Sequence, residues 1–451
     1  MKRRVVNHTE AWESRIPFRI SNYVWDDYPA VVCEIEQDGV IGQGEALGVY
    51  YLDETEKTML AQLEAISDDL AGGASRDDLL ELLPPGGARN AADAALWDLE
   101  AQLAGTSAWE LAGVKPEPVH TVFTIGLEDE PEQMAAGAAA ATDVTLLKIK
   151  LNNDRPVERI AAIRKARPDV RLVVDVNQGW SFAELRDYGP AIGELGVEFI
   201  EQPLPRGADE ELEGYASPVP LCADESCLHL GELEQAVGRY QIINIKLDKT
   251  GGLTHGLALA QAIRDKGLGI MVGCMCGTSL AMAPHHVICQ LADYADIDGP
   301  LLLKRDRFGG LVYENGIVTL PEQRFWGMGY IAVVAQGAEP EVLTLLADTS
   351  IEKGKSIEMF KEGFLTGIKR LEAEVVDKWQ TEAGEAAIPV DVEGADLLYV
   401  ALAGAHSIIP AAAVFNAAGE KWTLSFFEAV NFGAFVGDPS KTKLILDRII
   451  N

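Results

Sequence analysis

Along residues 14–49 apolar and polar positions alternate, with a break at "QDGVIGQGE" (37–45). A period of two marks strands with one buried face, and a Gly-rich break marks a turn. The stretch therefore predicts a hairpin or meander. Over 54–70 and 88–104 the period becomes helical. "ARNAADAALWDLEAQLAG" (88–105) is rich in Ala, apolar at helical spacing and stopped by Gly105. Residues 1–117 thus read as a small α+β domain.

A second rhythm begins near residue 120. Short apolar runs recur every ~20–27 residues, the length of one βα unit. They are "TVFTIGL" (121–127), "LLKIK" (146–150), "RLVVDVN" (171–177), "EFIEQP" (198–203), "PLCADES" (220–226), "IINIKL" (242–247), "GIMVGCM" (269–275) and "ADIDGP" (295–300). Helical patterns separate most of them, as at 155–167 and 253–267. Eight strands in this order favour a (β/α) barrel over 118–300 rather than a doubly wound sheet. Residues 301–334 then return with a hairpin in "RFGGLVYENGIVTLPEQ". "QGAEPE" (336–341) reads as a linker. Residues 335–451 form an additional α+β domain, with an amphipathic helix near 350–379, an apolar run "ADLLYVALAGAH" and a hairpin-like "AAVFNAAGEKWTLSF". No chemical motif stands in it, and His406 reads as structural.

Composition narrows the partners. The net charge of −32 and pI near 4.5 exclude nucleic acid and anionic membranes. The six cysteines show no C-x-x-C spacing, so free thiols in a reducing cytoplasm are expected. The N-terminus has no apolar segment of the signal-peptide kind, and no apolar run is long enough to span a membrane.

The candidate chemistry starts from "LLKIKLNN" (146–153). Lys148 and Lys150 lie two apart on a buried strand and so share a face. Two buried ammonium groups need strong negative charge nearby. The other strand ends supply it: Asp175 and Asn177, Glu201, Asp224 followed by Glu225, and Asp296 with Asp298. Asp175, Glu201 and Asp224, from three consecutive strands, suit one oxygen-ligated hard cation such as Mg²⁺. Lys246 ends strand six, across the barrel from Lys148 and Lys150. A lysine serves as a general base when neighbouring cations depress its pKa. Two bases on opposite faces of one carbon are what racemisation requires. Lys148 and the cation would stabilise the enediolate of the substrate carboxylate. Lys249 reads as a snorkelling surface residue.

The ordered set K-x-K, D-x-N, E-Q-P, A-D-E-S and N-I-K-x-x-K-x-G-G resembles the enolase superfamily in its muconate-lactonizing branch, over about residues 15–330. "DIDGP" is similar to the D-x-D motif of dipeptide epimerases. "GCMCGTSLAMAP" with "DIDGPLLLKRD" is similar to N-acetyl-D-glutamate racemases. "LPPGGARNAADAALWDLEAQLAG" fits the capping domain of the same group. The resemblance implies a modified (β/α)7β barrel under an N-terminal α+β cap. It implies Lys150 and Lys246 as acid/base residues, Lys148 on the substrate carboxylate, and Asp175, Glu201 and Asp224 on Mg²⁺. Asp296 and Asp298 would hold the substrate nitrogen end, and Thr124 would touch substrate. A homo-oligomer is expected by the same analogy. The implied activity is a dipeptide epimerase, with an N-acyl amino acid racemase as alternative.

Two departures stand out. Relatives acting on glutamyl substrates tend to carry an Arg in a cap loop. Here "ISNYVWDDYP" (20–29) has Asp26 and Asp27 but no Arg, with Arg19 just before it, and "EALGVYYLDET" has Tyr50 and Tyr51. Those acids either favour a cationic side chain or are simply solvated. The domain at 335–451 is also outside the family's usual architecture. A lyase remains open, because o-succinylbenzoate synthases use the same lysines. Most acid-sugar dehydratases use a His base, and no His ends any of the eight strands. A non-catalytic binding barrel predicts a missing ligand or base, and none is missing.

Overall fold

The first strand begins earlier than the alternating pattern suggested. The computed structural model describes residues 3–19, 24–321 and 325–328, plus the backbone of two short strands further on. Strand β1 (Arg4–Arg19) pairs antiparallel with β2 (Val24–Gln37), which pairs with β3 (Val40–Leu47). The turn between β2 and β3 is Asp38–Gly39, both at positive φ. β1 is an edge strand, partly exposed over most of residues 3–15. No fully buried face imposes a period of two on it, so its first half escapes pattern reading.

Helices α1 (Glu56–Ala65), α2 (Ser67–Gly72), α3 (Leu79–Leu82) and α4 (Gly87–Ala104) complete this cap. α4 ends where Gly105 takes a left-handed conformation, φ 63°. It lies directly on β3. A Cβ on Gly42 or Gly44 would stand 2.2 Å from the Ala95 carbonyl oxygen or 2.1 Å from that of Ala91. The small residues on both elements are what allow this approach. Val31, Cys33, Ile35, Met59, Leu63 and Leu99 fill the core between them.

After a short β4 (Val119–His120) come eight parallel strands: β5 (Phe123–Ile125), β6 (Leu146–Lys150), β7 (Arg171–Asp175), β8 (Val197–Glu201), β9 (Leu221–Ala223), β10 (Ile242–Ile245), β11 (Gly269–Val272) and β12 (Tyr294–Ala295). Each pairs with the next in chain order. Thr121 bridges Ala295 in parallel, and the Val122 N–H donates to the Ala295 carbonyl at 2.9 Å, which closes the barrel. Helices such as Pro156–Ala166 and Leu253–Asp265 lie between strands. The β8–β9 connection carries only a 3-10 turn, Glu210–Leu212, among the described residues. This is the modified barrel with an N-terminal cap that the resemblance implied.

The hairpin β13 (Val312–Glu314) and β14 (Ile317–Thr319) pairs with β4. The chain then reaches back to α4: the Gly327 N–H donates to Asp98 and the Trp326 indole to the Ala94 carbonyl. Ala338–Asn451 is a separate compact unit. In it, Leu397–Ala401 pairs in parallel with Trp422–Phe426. The helix near 350–379, His406 and the first half of the expected hairpin lie outside the described residues.

Candidate active site

One apolar layer crosses the barrel with a residue from each strand: Val122 ahead of β5, then Leu146, Val173, Phe199, Cys222, Ile242, Met271 and Tyr294. Side chains two apart on a strand share a face. The next layer up is therefore Thr124, Lys148, Asp175, Glu201, Asp224, Asn244, Gly273 and Asp296. Two further on stand Lys150, Asn177, Lys246 and Asp298. The strand period that buries an apolar floor thus lifts a charged layer onto it at the C-terminal ends of the strands.

Each lysine has a distinct environment. Lys148 Nζ lies 2.6 Å from Asp296 Oδ2, 2.8 Å from Glu201 Oε2 and 3.1 Å from Asp175 Oδ2. Lys150 Nζ donates to Asp175 Oδ2 at 2.6 Å. Lys246 Nζ donates to Asp224 Oδ2 at 2.7 Å, and Lys249 Nζ to Asp224 Oδ1 at 2.6 Å. Three strands, β7, β8 and β9, separate the Lys150 strand from the Lys246 strand in the sheet order. The Thr124 backbone N–H donates to Asp298 Oδ2 at 2.8 Å. All nine residues singled out by sequence therefore come together.

The carboxylates are held by further polar groups. The Asn177 N–H and side-chain amide both reach Asp175, and Asn244 Nδ2 donates to Glu201 Oε1 at 2.7 Å. Gln202 Oε1 accepts the N–H groups of Asp224 and Ser226, fixing the backbone from which Asp224 projects. Asn177, Gln202 and Cys276 have positive φ, a conformation non-glycine residues seldom take. Such turns at strand ends accompany the aiming of side chains inward.

The charge count is unequal. Asp175, Glu201, Asp224, Glu225, Asp296 and Asp298 are buried beside Lys148, Lys150, Lys246 and Lys249. Six carboxylates against four ammonium groups leave two negative charges. Burial, then Asp175 and Asp224, push Glu201 up to about 7. Burial, then Asp224 and Asp175, push Glu225 up to about 8, and burial with Asp296 lifts Asp298 to about 7. Asp175 instead sits at about 2: burial opposes ionisation, but Lys150 and Lys148 outweigh it. Asp224 lies well below the carboxylate range, because Lys246 and Lys249 overcome its burial. With all six acids ionised the surplus would be two, which a divalent cation would offset, and an all-oxygen donor set suits Mg²⁺. Asn177 Oδ1 and Glu225 Oε2 are buried with no hydrogen-bond partner. As they stand, no three acidic, His or Cys side chains among the described residues converge closely enough to surround an ion. Lysine ammonium groups stand between the acids instead. For the same reason Lys246 is held well above its ordinary value: burial lowers it, but Asp224, Glu201 and Glu225 prevail over burial and Lys148. In this arrangement Lys246 is thus not the depressed lysine expected of a base.

One sequence expectation is overturned. Lys249 is not a snorkelling surface residue; its side chain is 0% exposed and paired with Asp224. The residues Leu247–Thr250 form a helical turn beginning directly after β10, so Lys249 folds back beneath Lys246. The i, i+3 spacing of the two lysines was the available signal. Sequence reading gave Asn244 no role of its own and missed the way the cap grips this turn. Asn90 donates to Asp248 Oδ1 at 3.0 Å, as does the Leu47 N–H at 3.1 Å. Arg89 donates to the Thr250 and Gly251 carbonyls. Asp93 accepts from Thr254, and Trp97 donates to it. Tyr50 and Tyr51, edge to face at 5.0 Å, extend from the cap toward Asp224 and Glu225. Of the loop 20–29, residues 20–23 lie outside the described residues; Asp27 is exposed.

Family models match in two blocks: the mandelate racemase / muconate lactonizing enzyme N-terminal domain over residues 2–113, and an enolase C-terminal domain-like model over 132–330. The L-Ala-D/L-Glu epimerase of Escherichia coli (strain K12) is 40% identical over 314 residues, covering 69% of this chain and 98% of that protein. The N-acetyl-D-glutamate racemase of Pseudoalteromonas sp is 38% identical over 299 residues, covering 66% and 95%. An enolase family member from Agrobacterium tumefaciens with homology to dipeptide epimerases, solved with bound sodium and L-Ala-L-Glu, superposes with TM-score 0.70 at 41% identity. It covers 72% of this chain and all of that one (100%).

Proposed function

The chain belongs to the mandelate racemase / muconate lactonizing enzyme family of the enolase superfamily and is an isomerase of the racemase and epimerase type; from that premise we propose that it epimerises dipeptides, L-Xaa-L-Xaa to L-Xaa-D-Xaa. The observation that carries this reading is the pair Lys150 and Lys246, each beside its own carboxylate and on strands separated by three others. One lysine takes the α-proton from one face. The other returns a proton from the opposite face, and the centre inverts. Lys148 binds the substrate carboxylate and stabilises the charge that develops on it. Asp175, Glu201 and Asp224 would hold Mg²⁺, which would supply Lewis-acid stabilisation of the charge developing on that carboxylate. Asp296 and Asp298 receive the free ammonium of the dipeptide, with Thr124 fixing Asp298 through its backbone N–H.

The division of labour follows the chain: cap 1–117, catalytic barrel 118–300, return segment 301–334, and 335–451 with no assigned part. The six free cysteines fit a reducing cytoplasm, and no helix among the described residues is long and apolar enough to cross a membrane. N-acyl amino acids are the second reading. The Pseudoalteromonas relative and the "GCMCGTSLAMAP" segment favour it. The two differ in charge at the nitrogen end, and the acidic pair Asp296 and Asp298 favours the dipeptide. The test is α-proton exchange in D₂O with Mg²⁺ over libraries of L,L-dipeptides and N-acetyl amino acids, read by mass spectrometry. A one-dalton gain confined to dipeptides is expected. Gain confined to N-acetyl amino acids moves the assignment to the second reading, and no gain anywhere rejects both.

A further inference from the structure

Lys249 has no place in the proton transfers, yet its side chain is the most completely buried among the site's lysines, at 0% exposure. Its Nζ donates to Asp224 Oδ1 at 2.6 Å, to the Asp224 carbonyl at 2.7 Å and to the Asn244 carbonyl at 2.9 Å. The Cys227 carbonyl lies further off, at 3.4 Å, so the three short contacts take up the three hydrogens of the ammonium. Asp224 follows β9 and Asn244 lies in β10, so a single charge ties two neighbouring strand ends together. The other oxygen of Asp224, Oδ2, goes to Lys246. The Lys249 backbone N–H also donates to the Lys246 carbonyl at 3.0 Å, which locks the turn joining them. The two lysines therefore divide one carboxylate, one oxygen each.

We propose that Lys249 is a positioning residue: by occupying Oδ1 it fixes the plane of the Asp224 carboxylate, leaving Oδ2 to direct Lys246 and holding ready a carboxylate that would help bind the cation. This rests on the two-lysine reading above. Without Lys249 the carboxylate is free to turn, and Lys246 loses its fixed anchor. Lys150 is anchored on Asp175 across the barrel, and among the described residues no hydrogen bond or ion pair joins it to Lys249. The proposal thus predicts damage to one face of the reaction, whereas a general loss of structure would damage both.

The test uses the full chain and Lys249→Met. Mg²⁺ is titrated by calorimetry without substrate, and α-proton exchange is measured separately from the L,L and L,D isomers. Lys246→Ala identifies the isomer whose proton Lys246 removes. Lys249→Met is expected to weaken Mg²⁺ binding about 10-fold or more, as loss of an outer partner of a ligand does. It is also expected to slow exchange of the Lys246-dependent isomer roughly 10-fold more than that of the other. Mg²⁺ affinity within about twofold of wild type overturns the proposal, and so does an equal fall for both isomers. If Lys249→Met gives no cooperative melt, Lys249→Arg replaces it. That variant keeps the charge, but its planar fork cannot serve the same three acceptors from one nitrogen. Failure of both to fold also overturns the proposal, since Lys249 would then serve stability. If wild type exchanges no isomer of any dipeptide, the epimerase reading fails, and the Mg²⁺ titration alone decides on Lys249.

Discussion

The two sides of the site present paired lysines by different local geometry. On β6, Lys148 and Lys150 are two apart on a strand and rise in successive layers of the same face. Lys148 reaches three carboxylates and Lys150 reaches one. On the β10 side, Lys246 and Lys249 are three apart on a helical turn and meet opposite oxygens of Asp224. Each side thus combines one deeply tied ammonium with one nearer the open end of the barrel: Lys150 is 8% and Lys246 7% exposed, against 1–2% for Lys148 and Lys249. The tied member takes up the burden of the local carboxylates, and the proposed function gives the other to the substrate. Both backbone periods, two and three-to-four, can stack like charges on one side, provided acids stand between them.

Breaking either outer lysine should have the largest effect. Lys150→Ala and Lys246→Ala should each lower racemisation by about 10³-fold or more, within the range a positioned base contributes. Optical rotation or chiral chromatography of the products measures it. Asp224→Asn comes next, since it removes a proposed charged ligand and leaves Lys246 and Lys249 with too little opposing charge. Mg²⁺ affinity, followed by calorimetry, should fall by at least the roughly 10–100-fold seen for lesser perturbations of metal sites. An unchanged requirement for the cation would mean it is held elsewhere.

A smaller effect should follow from loosening the cap's hold on the β10 side. Asn90→Ala removes a buried hydrogen bond to Asp248 and should cost about 1–3 kcal/mol in denaturant unfolding. Among the described residues no hydrogen bond joins the cap to β6 in this way. The smallest prediction concerns pH. Burial raises Asp248 to about 7 in the fold, against hydrogen bonds from Asn90 and Leu47 that lower it. An unfolded Asp ionises near 4. Between about pH 4 and 7 the unfolded chain therefore releases a proton that the folded chain keeps, and stability falls as pH rises through that window. Asp248→Asn should flatten this slope in unfolding midpoints taken at intervals across it. An identical slope in the variant would show that Asp248 is not its source.

Much of this was legible in the sequence because strand periodicity is strict. Once Lys148 is placed on an inward face, Lys150 must share it, and the recurring βα interval aligns Asp175, Glu201 and Asp224 on neighbouring strands. The pattern failed where burial is incomplete or the period changes. β1 is an exposed edge and carries no clean alternation over its first half. Lys249 sits just beyond β10, where a strand reading ends and a single helical turn begins. A lone charged residue there looks like surface, and only its partner across the β9–β10 gap reveals otherwise. The cap's grip on residues 247–254 joins positions some 160 residues apart in sequence, such as Asn90 and Asp248. No local pattern encodes such a contact.

The central claim is that Lys150 and Lys246 serve opposite faces of one carbon. It is tested most directly by α-proton exchange in D₂O from each pure isomer of a turned-over dipeptide, using wild type, Lys150→Ala and Lys246→Ala. The account predicts that wild type exchanges both isomers, that each variant exchanges only one, and that the two variants retain opposite ones. Exchange of both isomers by either variant, or loss of the same isomer from both, would contradict it.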